Sequence, residues 1–245
     1  MRVMSWALAA LAVGFGATVC RADDNAKVPK GSVTAIDILL EPDATLIKHA
    51  EAANERLLKS FPKGFALDKT HQPHISCLQR YVNTADLDKV YEAVGRALAV
   101  EKPTGWKLKA YKYYYIPGEG AMKEIGLAGI VIEPTDDLIR YQQKLIDAVA
   151  PFTAKTGTAA AFVTTKEAPD INQQTIDYVE TFVPKASGKH FNPHVTIGIA
   201  TQDYLKKMLD EKFEDFTFSP AGAFVYHLGN FGTARTQLKG WELKP

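Results

Sequence analysis

Two tetrapeptides carry the residue types for acid–base chemistry. Pro73-His74-Ile75-Ser76 and Pro193-His194-Val195-Thr196 share one order: proline, histidine, a branched apolar residue, a hydroxyl. The histidines stand 120 positions apart in a chain of 245 residues. In an extended strand, residues i and i+2 face the same side. His74 therefore shares a face with Ser76, and His194 with Thr196, while Ile75, Cys77, Val195 and Ile197 anchor the strands from behind. Two such strands across a cleft would set two imidazoles and two hydroxyls around one small volume. A neutral imidazole can take a proton from an attacking oxygen, and a protonated one can give a proton to a leaving oxygen. Histidine suits both roles because its ordinary pKa is ~6.5. The hydroxyls can donate to non-bridging phosphate oxygens as charge develops. The scheme is phosphodiester cleavage with no metal and no other cofactor, and these residues leave open which histidine is the base.

The elements around the two motifs repeat. Val33 to Leu40 is a β-branched, apolar run read as a buried strand, and Asp43 to Phe61 has helical spacing at Leu46, Ile47, Ala50, Ala53, Leu57 and Leu58. Pro73 to Val82 is the first motif's strand, followed by a helix over Thr84 to Val100 with Thr84 as its N-cap. Strands follow over Trp106 to Ile116 and Ile125 to Glu133. The second half has a helix over Thr135 to Thr153, a short strand over Ala160 to Thr164, and a helix over Ile171 to Phe182 that reads as an insertion of unassigned role. The second motif's strand is Asn192 to Ala200, and a helix over Thr201 to Phe213 follows it directly. Phe216 to Phe218, Ala223 to Leu228 and Arg235 to Leu243 are strands. No low-complexity linker separates the halves, so the expectation is one bilobed α+β domain over residues 23–245, with mostly antiparallel sheets flanked by helices and a central cleft carrying the motifs.

The first 22 residues have the order of a secretory signal: Arg2, an uncharged run from Trp6 to Val19, then Cys20-Arg21-Ala22 with small residues placed for cleavage. The run is shorter than the ~20 apolar residues of a spanning helix. The expectation is a periplasmic or secreted protein with no membrane attachment after cleavage. The whole chain has 29 basic and 28 acidic residues; without Arg2 and Arg21 the balance is 27 to 28, a charge of −1. Capture of long nucleic acid usually draws on a basic excess, so the expected partner is a small nucleotide or a short RNA end, bound by a monomer. Cys77 would be the one cysteine left, which excludes an internal disulfide and cysteine-type zinc sites.

Other residues bear on the same cleft. Along Lys107 to Tyr115, packing of the even positions inward would turn Tyr113 and Tyr115 toward the cleft to stack a base, with Tyr226 playing that part in the other half. Arg80 lies on the His74/Ser76 parity, within reach of a phosphate, and Cys77 on the opposite one. His71 and His190 precede the two motif histidines and raise the alternative of a zinc site. Pro73 and Pro193 work against the single helical face that a His-Glu-x-x-His site needs, so no metal is expected.

The two His-x-Ser/Thr motifs, His74/Ser76 and His194/Thr196, resemble those of the 2H phosphoesterase superfamily, which contains 2′–5′ RNA ligase-like proteins and 2′,3′-cyclic phosphodiesterases. The stretch Val225-Tyr226-His227-Leu228-Gly229-Asn230-Phe231-Gly232-Thr233-Ala234, with Trp241-Glu242-Leu243, is similar to bacterial members. The resemblance runs from about Val33 to Leu243, with Ser76 where threonine is commoner. It implies a duplicated two-lobed fold, both motifs in a central cleft, and metal-independent hydrolysis of cyclic or 2′,5′-linked phosphodiesters. Two other readings stay open at this point: a nucleotide-binding protein without turnover, and a metal-dependent hydrolase using the paired histidines.

Overall fold

The computed structural model describes residues 31–118, 120–166 and 168–243. The signal expected over residues 1–22 lies outside the described residues. Among those described, no helix is long and apolar enough to cross a membrane.

In chain order the elements are β1 (Val33–Pro42), α1 (Ala44–Ser60), β2 (Ile75–Asn83), α2 (Leu87–Glu101), β3 (Leu108–Pro117), β4 (Ile125–Ile132), α3 (Asp136–Val149), α4 (Gln173–Ala186), β5 (His194–Thr201), α5 (Gln202–Leu209), β6 (Phe216–Phe218), β7 (Pro220–Leu228) and β8 (Ala234–Glu242). The strands form one sheet in the order β6-β3-β4-β5-β2-β1-β7-β8, and every neighbouring pair is antiparallel. The fold is α+β, as expected.

The two halves meet at one point. β2 and β5 pair only at Ile75 and Val195. Both residues lie at the N-terminal starts of their strands, so the strands overlap there and run apart in opposite directions. Past the overlap the Cys77 carbonyl has no ladder partner on β5 and accepts from Gln142 Nε2 of α3 instead, at 3.1 Å. A buried main-chain carbonyl needs such a donor. Each half is a four-stranded sheet, and the two motifs begin side by side at the seam.

Amphipathic helices explain the coverage. Leu46, Ala50, Ala53 and Leu57 form the buried stripe of α1, and Leu138, Tyr141, Leu145, Ile146 and Val149 that of α3. With α2 and α5 they enclose the main core on one face of the sheet, against Ile36, Ile38, Leu40, Ile75, Cys77, Val195 and Ile197. A second, smaller core lies on the other face, where Val179 of α4 and Phe162 pack on Ala35, Tyr81 and Leu228. The segment around α4 thus closes part of the face on which the motif hydroxyls emerge.

Local predictions differ from the structure in two places. Ala160 to Thr164 is not a strand. Ala159–Ala161 forms one 3-10 turn, and a single bond from Val163 N–H to the Leu228 carbonyl (2.8 Å) replaces a ladder. Thr84 is not the N-cap of α2: its hydroxyl pairs with that of Thr34 at 2.8 Å, a 3-10 turn occupies Thr84–Asp86, and α2 begins at Leu87. Tertiary contact here overrides the local capping preference.

One buried amide ties α1 to both sides of the seam. Asn54 Nδ2 donates to the carbonyls of Phe65 (2.9 Å) and Ile197 (2.8 Å), and its Oδ1 accepts from Leu67 N–H at 3.1 Å. It holds the segment leading to His74 against β5 of the other half. Asn54→Leu leaves three main-chain groups unpaired, one of them fully buried, at a net cost of about 2–3 kcal/mol. Urea unfolding monitored by circular dichroism should show a lower midpoint with an unchanged slope.

Candidate active site

Both motif histidines are anchored in the same way. His74 Nδ1 lies 2.7 Å from the Gln72 carbonyl, and His194 Nδ1 lies 2.7 Å from the Asn192 carbonyl. A carbonyl only accepts, so each Nδ1 carries a proton and donates it. In the neutral ring the lone pair is therefore on Nε2. The intervening prolines fix the backbone so that each ring turns back on the carbonyl two residues before it. The two imidazoles are close enough for His74 to depress His194. Burial lowers the His194 pKa below its ordinary value, the Asn192 bond partly offsets this, and the His74 charge lowers it further. Extending the antiparallel register one residue either side of Ile75–Val195 sets His74 beside Thr196 and Ser76 beside His194.

The two hydroxyls differ. Ser76 Oγ–H donates to Asp37 Oδ2 at 2.6 Å, whereas the Thr196 hydroxyl has no partner among the described residues. Asp37, on β1, is completely buried. Its Oδ2 also accepts from Gln79 Nε2 at 3.1 Å and lies 3.9 Å from His74 Nε2. Burial raises the Asp37 carboxyl above its ordinary pKa, while the His74 charge and the bonds from Ser76 and Gln79 oppose the rise. Asp37 Oδ1 and Gln79 Oε1 are buried with no donor. Sequence reasoning missed Asp37 and Gln79, although a lone acid in the run Val33 to Leu40 was a visible signal, since Asp is almost never fully buried without a partner.

β-bulges redirect the flanking residues. The β3–β4 ladder shifts register between Ala110 and Lys112. Leu108 and Ala110 face the main core as expected, but the extra residue inverts the alternation beyond it. Tyr113 and Tyr115 consequently turn to the helix side. Tyr113 packs edge-on to Phe213 (4.8 Å between centroids), and Tyr115 lies with Leu205 beside Gly126. Neither points into the cleft. Tyr114 takes that place, edge-on to His194 at 4.9 Å. The β1–β2 ladder likewise shifts between Ile38 and Leu39. Beyond it Arg80 is level with Ile36 on the main-core face, not with Ser76. Cys77 is buried in that core and unavailable.

Tyr226 does lie near the motifs. Its hydroxyl is 3.3 Å from Oε1 of both Gln72 and Gln237, and it shares a hollow with His74, Gln72, Phe224 and Glu41. Three of the remaining histidines have other contacts: His71 stacks on Phe65 (4.6 Å), His49 on Phe216 (3.8 Å), and His227 Nε2 is 2.9 Å from the Ala161 carbonyl; His190 is exposed on the turn Gly188–His190. Among the described residues no three His, Cys, Asp or Glu side chains are grouped to hold a metal ion.

No family model matches the chain, and no curated protein matches it. Among solved structures it is similar to TT0787 of Thermus thermophilus, 16% identical, with 86% of this chain and 98% of that chain covered and a TM-score of 0.49. It is also similar to Escherichia coli LigT complexed with ATP, at 14% identity, coverage of 87% and 100%, and a TM-score of 0.44. A chain described as a phosphoesterase follows, at 13% identity, coverage of 87% and 100%, and a TM-score of 0.40. What the cleft can do follows from this chain's own side chains.

Tyr114 reaches His194 only because position 129 is glycine. A Cβ there would stand 2.2 Å from Tyr114 Cε1 and 3.0 Å from the Val195 carbonyl. Gly129→Ala should cost about 1–3 kcal/mol by overpacking. Adding Tyr114→Ala should restore part of that loss, a coupling that a double-mutant cycle of unfolding free energies reads directly.

Proposed function

We propose that the chain is a metal-independent phosphodiesterase acting on 2′,3′-cyclic nucleotides or on 2′,5′-linked or terminal RNA phosphodiesters. The observation that carries this reading is the pair of equivalent Nδ1–H···O=C anchors, each leaving Nε2 free as proton acceptor or donor at the seam where both motifs meet. His194, whose pKa is depressed, serves as general base. Its neutral Nε2 removes a proton from water as the water oxygen bonds to phosphorus. The bond from phosphorus to one ribose oxygen breaks, and His74, protonated at Nε2, gives that oxygen its proton. The Thr196 hydroxyl, with no partner of its own among the described residues, donates to a non-bridging oxygen where charge accumulates. The near-neutral charge of the chain suits local recognition of a single phosphodiester. Residues 1–22 as an export signal, and hence a periplasmic or secreted monomer, belong to the same proposal.

His74→Ala and His194→Ala should each lower kcat by ~10²–10⁴-fold on 2′,3′-cyclic nucleotides, with turnover of the wild type unaffected by chelators. Thr196→Ala should cost ~10²-fold. Saturable nucleotide binding without product would favour a binding protein, and loss of turnover on chelation a metal-dependent hydrolase.

The pH profile has a defined sign. Protonating His194 removes the base, so kcat/KM should fall as pH is lowered through its pKa. Burial places that midpoint below the usual ~6.5 of histidine. Initial rates followed as pH is lowered from neutrality locate it.

A further inference from the structure

The two motifs are alike in sequence but stand on different supports. Behind His194 and Thr196 the face of the sheet carries Gly129, Val131 and Tyr114, and its one charge is the exposed Lys112 across from Val131. Behind His74 and Ser76 it carries Asp37, completely buried, with Oδ2 2.6 Å from Ser76 Oγ, 3.1 Å from Gln79 Nε2 and 3.9 Å from His74 Nε2. One carboxylate oxygen thus bonds the hydroxyl of this motif and faces its imidazole across 3.9 Å. Gln79 is itself held, since its Nε2 also lies 3.4 Å from the Gly232 carbonyl, so the carboxylate has little freedom to turn away.

We propose that Asp37 is a positioning residue that makes the first motif the proton-donating one, holding the imidazolium of His74 by its charge and turning the Ser76 hydroxyl proton away from the cleft. This rests on the phosphodiesterase reading above. Three consequences follow from the geometry. The His74 ring is held at Nδ1 by the Gln72 carbonyl, and its Nε2 stays free for the cleft with the Asp37 carboxylate 3.9 Å away. Ser76, with its proton committed to Asp37, offers only lone pairs to the cleft and cannot donate to a phosphate oxygen. Thr196 is then the one motif hydroxyl that stabilises developing negative charge, so Ser76 and Thr196 are not interchangeable. Asp37 touches no substrate and acts through its neighbours. The other titratable groups that face it are Tyr178 on α4 and Tyr226 beside it in the β1–β7 register, while Cys77 of β2 lies behind the sheet in the main core. His194 reaches it only through His74. None of these is a cation that would compete with His74 at neutral pH.

Asp37→Asn keeps the volume and an acceptor for Ser76 while removing the charge. With a 2′,3′-cyclic nucleotide as substrate, kcat should fall by ~10-fold or more while KM stays within about twofold. The acidic limb of the pH profile, set by His194, should stay in place. An unchanged kcat, or a loss that appears in KM instead, would make Asp37 a purely structural group and overturn the proposal. Thr196→Ala should lose far more activity than Ser76→Ala, and equal losses would also overturn it. A measurement independent of turnover covers an unstable Asp37→Asn and an incorrect substrate class alike. In folded His74→Ala protein, the ¹³Cγ resonance of Asp37 should titrate at higher pH than in the wild type, because the cation that opposes its protonation is gone. An unchanged midpoint would show that the two groups are not coupled, whatever the protein's reaction.

Discussion

Everything at the cleft depends on one strand contact. β2 and β5 pair at Ile75 and Val195 and nowhere else. Because side chains alternate along a strand, pairing at the apolar residue between each histidine and hydroxyl puts all four polar groups on the opposite face together. A slip of one residue would bury His74 or His194 in the main core. The contact cannot slip easily, since Ile75 and Val195 are both fully buried there and Asn54 and Gln142 bind carbonyls on the two sides of it. The repeated order of elements therefore has a physical purpose: two half-sheets, each too small to enclose a site, make one where their edges meet.

Within this symmetric frame the electrostatics are asymmetric. Both imidazoles use the same carbonyl anchor and present the same nitrogen. Their surroundings separate them, since one faces a buried carboxylate and the other an aromatic ring and its neighbour's charge. Acid and base catalysis by two chemically identical groups requires such a difference. A buried carboxylate costs stability unless it is bonded, and here Ser76 and Gln79 supply the bonds. The segment around α4 closes the same face, packing Val179 and Phe162 over Tyr81 and Ala35, and brings Tyr178 within electrostatic reach of Asp37 and Tyr114.

Much of the element order was legible because it rests on local pattern. Apolar runs and 3.6-residue stripes located β1, β2, β5, α1 and α3 to within a few residues. The misplaced side chains share one cause. Parity arguments for Tyr113, Tyr115 and Arg80 assumed unbroken alternation, and each crossed a β-bulge. A bulge is an accommodation between two strands, so neither strand's residues announce it. Thr84 failed as a cap for a similar reason, its hydroxyl being taken by Thr34 from 50 positions away.

The sequence by itself determined the chemistry on offer: two histidines, each two residues from a hydroxyl and each preceded by proline, on strands apolar on the other face. Those are local facts of type and spacing. Only the tertiary structure decided which groups surround them. It set Asp37 behind the first motif and Tyr114 beside the second, and it turned Tyr113 and Tyr115 away. The reason is that a residue's neighbours across a sheet come from distant parts of the chain. The protonation state and direction of a polar group follow from those neighbours rather than from its own motif.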